Sequence, residues 1–120
     1  MAKHGVTEFL QWVDDVSRQF VELETDFLIV LDRDGKIIDV NPAFEELMNC
    51  CKTDVIGTPM SRIVLMNDWA IFFRSFTDTH YPTFRLLRRG SGYVRVKNIK
   101  FAPRGEQYGG EGLLILRPIQ

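Results

Sequence analysis

Leu31-Asp32-Arg33-Asp34-Gly35-Lys36-Ile37-Ile38-Asp39-Val40-Asn41-Pro42-Ala43-Phe44 changes its hydrophobic period twice within fourteen residues. It reads as the end of a strand, a tight turn, a second strand and the capped start of a helix. The apolar run Phe27 to Leu31 leads in, Asp32 and Asp34 are turn-forming carboxylates, Gly35 accepts a positive φ, and Ile38 and Val40 resume a strand. Asn41-Pro42 then ends that strand. The Asn41 side chain is able to accept from the unpartnered N–H groups of a first helical turn, and proline at the first helical position gives up a donor that had no partner there.

Upstream, residues 7–24 place Phe9, Trp12 or Val13, Val16, Phe20 and Leu23 at helical spacings of three and four. Asp14, Asp15, Arg18, Glu22 and Glu24 occupy the rest of that surface, and Thr7 is the expected N-cap. A helix with so aromatic a stripe needs a surface to dock on. Residues 27–31 and 113–116 are apolar at every position, so both faces of each strand should be buried and both strands should be central. Residues 83–89 and 93–101 interleave apolar and basic side chains, as expected where one sheet face meets solvent. Between these strands, a helix is expected over 43–49, a turn of helix over 53–57 capped by Thr53, and a longer helix over 69–76 capped by Asn67 or Asp68. Thr79-His80-Tyr81-Pro82 breaks that helix, because the residue before proline avoids the helical region. Arg89-Gly90-Ser91-Gly92 is expected to form a hairpin turn, and residues 103–110 a last loop.

With 120 residues, 45% of them hydrophobic and 26% charged, the chain has the length and composition of one soluble globular domain. Its net charge of −1 hides an asymmetry: residues 1–60 carry five basic and twelve acidic side chains (−7), residues 61–120 ten basic and four acidic (+6). Opposite halves favour complementary packing, within one molecule or between two. The basic series Arg85, Arg88, Arg89, Arg95, Lys97 and Lys100 alternates along expected strands, which makes it a solvated sheet face rather than a nucleic-acid surface. There is no long apolar segment and no signal-peptide core, so neither membrane insertion nor secretion is expected and a cytoplasmic setting follows. Cys50 and Cys51 are adjacent, a poor geometry for a structural disulfide, and no third cysteine or nearby histidine completes a metal-ligand set.

The order Asp-x-x-Gly, short strand, then Asn41-Pro42-Ala43-Phe44 and a helix resembles the opening of the PAS domain family, sensory modules of many signalling proteins and transcription regulators. The resemblance continues through Glu45-Glu46-Leu47-Met48 and Asp54-Val55-Ile56-Gly57 and covers residues 26–117. It implies an α+β PAS fold, with a five-stranded antiparallel sheet in the order 2-1-5-4-3 and short helices on one face. The N-terminal amphipathic helix, residues 1–25, would cover the other face of the core domain, residues 26–120.

The resemblance also implies a ligand hollow between the sheet and the short helices. Candidate lining residues are Ile29, Leu31, Phe44, Met48, Ile56, Trp69, Phe72, Phe73, Val94, Val96 and Asn98, with Val40, Leu47, Ile63 and Leu65 beside them; the other reading is that they simply fill the core. Asn98 is the sharpest of these. Strict alternation from Val94 and Val96 sends it inward, where a buried amide needs partners that a ligand could supply. The competing account is a β-bulge near Lys97-Asn98, since Ile99 and Phe101 continue the apolar series in the opposite phase. Flavin photosensors of the family carry a reactive cysteine where this chain has Ser61-Arg62-Ile63-Val64-Leu65-Met66, and haem-binding members an axial histidine on the long helix, where residues 68–76 hold none. A flavin-thiol adduct and haem are therefore disfavoured, and the cofactor is unknown. His80 reads as a loop residue and His4 as part of a terminal tail.

No nucleophile–base pair, Gly-rich phosphate loop or shared-proton carboxylate pair is legible, so an enzyme is not expected. The expected function is small-molecule sensing in signal transduction. Phe9, Trp12, Val16 and Phe20 would carry the helix contact and a homodimer interface, with a two-component kinase or transcription regulator as output. The alternative is a ligand-free dimerisation module of such a protein.

Overall fold

A computed structural model describes residues 2–78, 80–104 and 111–119, and the side chains of residues 8 onward within them. The expected last loop falls largely on residues 105–110, and Thr79 and the His4 and Thr7 side chains likewise lie outside the described set. Strand β1 (Phe27–Leu31) pairs antiparallel with β2 (Ile37–Val40) on one side and with β5 (Gly112–Pro118) on the other. β4 (Tyr93–Pro103) joins β5, and β3 (Thr83–Leu87) joins β4, giving the order β2-β1-β5-β4-β3. This is the α+β architecture and strand order expected above. The uninterrupted apolar runs are central because each has two faces to bury: Phe27, Ile29, Leu31, Leu114 and Leu116 enter one cluster, and Val30, Leu113 and Ile115 another.

The deciding stretch folds through its polar side chains. Asp32 Oδ1 accepts from the N–H of Asp34 at 2.8 Å and of Lys36 at 2.9 Å, and Gly35 turns the chain at φ +78°. Asn41 caps α2 (Pro42–Met48): its Oδ1 accepts from Phe44 N–H at 3.2 Å and from Leu28 N–H at 3.1 Å, while its Nδ2 donates to the Asp26 carbonyl at 2.9 Å. The cap thus fastens the helix start to the beginning of β1.

α3 (Lys52–Val55) and α5 (Trp69–Arg74) are shorter than the pieces expected over 53–57 and 69–76, and α4 (Met60–Ile63) and a 3₁₀ turn (Met66–Asp68), which were not expected, lie between them. Cys51, not Thr53, holds the cap position of α3, and its N–H donates to Asp54 Oδ2 at 2.8 Å. Asp68 stands at the start of α5 without capping it, because its carboxylate turns to Arg85, taking Nε at 2.8 Å and Nη2 at 2.9 Å. Helix α1 (Ala2–Phe20) starts before Thr7 and stops before Glu24. The stop has a physical cause: Asp26 Oδ2 accepts the N–H groups of Glu22 and Leu23, each at 3.1 Å, and pulls the chain into a turn.

The sheet is covered on both sides. The short helices pack on the inner face, and Phe9, Trp12, Val13, Val16 and Phe20 of α1 pack half-buried against Val30, Leu113 and Ile115 on the outer face. Among the described residues no helix is long and apolar enough to cross a membrane.

Candidate functional site

Strand β4 builds the site because it changes phase midway. Val94, Val96 and Asn98 face the inner helices; Asn98 then stands opposite Leu116, and Lys100, not Ile99, stands opposite Ile115. Ile99 joins the α1 side and Phe101 returns to the inner face. The inward Asn98 and the bulge, set as alternatives from sequence, are therefore both present, the bulge falling at Ile99-Lys100 just after the amide.

Asn98 keeps only 4% of its surface accessible. Its Nδ2 donates to Ser75 Oγ at 3.1 Å and lies 3.5 Å from the Ser75 carbonyl. Its Oδ1 is buried with no hydrogen-bond partner among the described residues. A buried acceptor left so costs about 1–3 kcal/mol, which makes it the most informative polar atom on the inner face. On the same inner face runs a series of phenylalanines: Phe72 meets Phe84 and Phe76 with ring centroids at 5.2 Å, and Phe76 meets Phe101 at 5.1 Å. Gly112 lies directly under the Phe101 ring, where any Cβ would collide with it.

Of the candidate lining residues, Ile29, Leu31, Phe44, Met48, Phe72 and Val96 are brought together in the buried inner cluster, as is Val40; Val94 and Ile63 pack against it half-buried. Ile56, Trp69, Phe73 and Leu47 depart from the expectation, with 45%, 37%, 57% and 40% of their surfaces exposed. Phe73 follows Phe72 on a short helix and so points about 100° away from the core. Trp69 is held across the helix start by its indole N–H, which donates to the Val64 carbonyl at 3.0 Å. Ile56 sits where α3 ends and the chain turns at Gly57. Sequence reasoning did not select Ser75, Phe76, Phe84 or Phe101 for the site. Alternation along β3 would have found Phe84, whereas nothing local marks Ser75.

A separate cleft of about 350 Å³ opens between α2, α3, α4 and the end of β3, lined by Phe44, Met48, Val55 and Ile63 with Arg88 and Arg89 at its rim. Arg88 Nε donates to the Leu47 carbonyl at 3.1 Å, and Arg89 pairs with Asp54. The Cys50 thiol on its wall is pushed up by burial, with the negative charges of Asp54 and Glu45 adding to the effect. Among the described residues no group of three or more His, Cys, Asp or Glu side chains could hold a metal ion. His80 is exposed, its Nδ1 at 3.0 Å from Asp78 Oδ1.

The family model described as PAS fold matches residues 17–84, more than half of the chain. The chain belongs to the PAS family. PAS domains are generally sensory and signalling modules rather than enzymes. Among solved structures, this PAS domain is similar to the PAS domain of a protein from Colwellia psychrerythraea, at 23% identity and TM-score 0.65, over 89% of this chain and 96% of that one. A domain of the sensory box sensor histidine kinase/response regulator from Geobacter sulfurreducens gives 18% identity and TM-score 0.61, over 90% and 96% of the two chains. The PAS-B domain of Drosophila melanogaster Cycle, solved with bound ethylene glycol, gives 12% identity and TM-score 0.58, over 78% and 97%. None of the curated proteins matches the chain in sequence. At these identities the likeness carries the fold.

One further feature of this PAS domain ties its helix to its sheet. Arg117 on β5 donates from Nε to Asp26 Oδ1 at 2.9 Å and from Nη2 to Asp26 Oδ2 at 3.1 Å, with Glu22 at 3.5 Å. Asp26 is 1% exposed and sits in the link between α1 and β1. Burial alone would raise its carboxyl, but the Arg117 guanidinium and the N–H groups of Leu23 and Glu22 outweigh that and hold it below the usual carboxylate range.

Proposed function

We propose that this PAS domain is a sensory module of signal transduction that binds a small molecule on the inner face of the sheet beside Asn98 and relays the change through α1. The observation that carries this reading is the buried, unpartnered Asn98 Oδ1. A ligand that satisfies it must part the rings of Phe72, Phe76 and Phe101, next to which Asn98 and Ser75 lie. The relay runs through the bulge. Ile99 packs in the cluster that seats α1, and Lys100 Nζ lies 5.0 Å from the Phe20 ring centroid, so one short segment faces the ligand on one side and the helix on the other. A ligand that favours a different setting of residues 98–100 shifts the population in which α1 is docked.

Release of α1 would free Phe9, Trp12, Val16 and Phe20 for a second copy, giving a homodimer that presents the change to a kinase or regulator domain. Ile29, Leu31, Phe44, Met48, Phe72, Val94 and Val96 would form the walls of the opened site. Ile56, Trp69 and Phe73 stand outside it. The reading places the domain in the cytoplasm.

Hydrogen exchange of α1 tests the relay. With a bound small molecule, or with Asn98→Leu in its place, the amides of residues 9–20 should change protection while those of β1 and β5 stay unchanged; exchange confined to the inner face would sink the relay. Asn98→Leu should itself raise stability by about 1 kcal/mol, because it removes an unsatisfied buried acceptor. A second reading, a ligand-free dimerisation module, is favoured by the ring-to-ring filling of the inner face. Native mass spectrometry and an absorption spectrum of freshly purified protein separate the two: a retained small molecule supports the sensor, a clean apo dimer the module.

A further inference from the structure

The amide of Asn98 is locked in one orientation, and the lock sets the chemistry of what it recognises. Ser75 Oγ donates its proton to the Phe72 carbonyl at 2.5 Å, so toward Asn98 it is an acceptor, as is the Ser75 carbonyl behind it. Turning the amide over would set Oδ1 against the Ser75 carbonyl and would require the Ser75 hydroxyl to leave the Phe72 carbonyl, stranding that carbonyl in its place. Nδ2 is therefore held by Ser75 and Oδ1 by exclusion is the free end. The other buried polar side chains among the described residues are Asp26 and Asp68, each closed by an arginine, and Ser75 itself. A cationic ligand would find no free carboxylate on this face, and an anionic one would meet the Asn98 oxygen.

We infer that the Asn98 site selects neutral, largely aromatic molecules bearing one N–H or O–H donor, the donor bound by Asn98 Oδ1 and the ring stacked among Phe72, Phe76 and Phe101. Ser75 is the positioning residue that makes the preference one-way. This inference rests on the sensory reading above and narrows it to a ligand class.

The test uses matched probes on the whole chain: indole against indene, and phenol against toluene, pairs of similar shape that differ in the donor. Binding is followed by ¹H–¹⁵N spectra through the Asn98 side-chain amide and the Ser75 N–H. The donor-bearing member of each pair should bind about tenfold tighter. Ser75→Ala should shrink that ratio by letting the amide turn, and Asn98→Leu should abolish it. Equal binding of both members at the inner face overturns the donor preference while leaving interior binding intact. No inner-face shift with any of the four overturns this inference and the sensory reading together. The wild-type ratio alone decides the matter should either variant fail to fold.

Discussion

Asp26 shows how one side chain can be both buried and ionised. Its carboxyl titrates below the ordinary range in the folded chain, and Asp68, held first of all by the Arg85 guanidinium, does the same. Between the folded and unfolded values the unfolded chain binds more protons, so the two acids contribute stability that is fully present above the ordinary carboxylate pKa of about 4 and is lost as pH falls through the depressed folded values. Urea midpoints should therefore be flat from pH 7 to about 5 and drop steeply below about 4. Asp26→Asn strands Arg117 with only exposed Glu22 beside it, which should cost about 3 kcal/mol at pH 7 and flatten the acid limb of the profile. An unchanged midpoint at pH 7 would show that the clasp contributes nothing.

At the scale of elements, α1 is held along its length by its aromatic stripe and below its last turn by the Arg117 clasp, while Leu10 on its far side is 59% exposed. Phe20→Ala removes a half-buried ring together with its Lys100 partner, and should lower stability by about 2 kcal/mol and speed exchange of the α1 amides. Stable α1 protection in that variant would refute the docking role of Phe20. What was legible from sequence follows the same physics. The long apolar runs announced β1 and β5 because two buried faces leave no polar positions, and Asn41-Pro42 marked α2 because a cap is a local device. Four-residue helices such as Met60–Ile63 are too short to show a period. α1 stops short of the expected Glu24 because the residue that stops it, Asp26, acts from beyond the helix. Period-two counting sent Asn98 inward, and the opposite phase of Ile99 and Phe101 raised a bulge near Lys97-Asn98, but counting set the two as alternatives where the strand has both. The Arg117 clasp joins residues 91 apart, so nothing local announces it.

Over the whole molecule, the opposite charges of the two halves are partly matched within one copy, through Asp26 and Glu22 with Arg117, and Asp54 with Arg89. The aromatic stripe that was expected to join two copies is likewise engaged on its own sheet. Dimerisation should therefore compete with cis docking. Sedimentation velocity should show a monomer at low micromolar concentration and a shift toward dimer on adding a ligand that frees α1; a dimer insensitive to ligand and to Phe20→Ala would place the interface elsewhere.

The position of β1 between β2 and β5 also governs how the chain is made. Phe27 pairs with Leu116 and Leu31 with Gly112, so one edge of this wholly apolar strand waits for a partner that leaves the ribosome only after β4 has been synthesised. Until then β1 offers an open row of N–H and C=O groups flanked by oily side chains, the kind of edge that recruits other chains. Chaperone capture during translation should centre on residues 27–31 and end abruptly once β5 emerges, so the birth of this domain is a late, single closure rather than a gradual build.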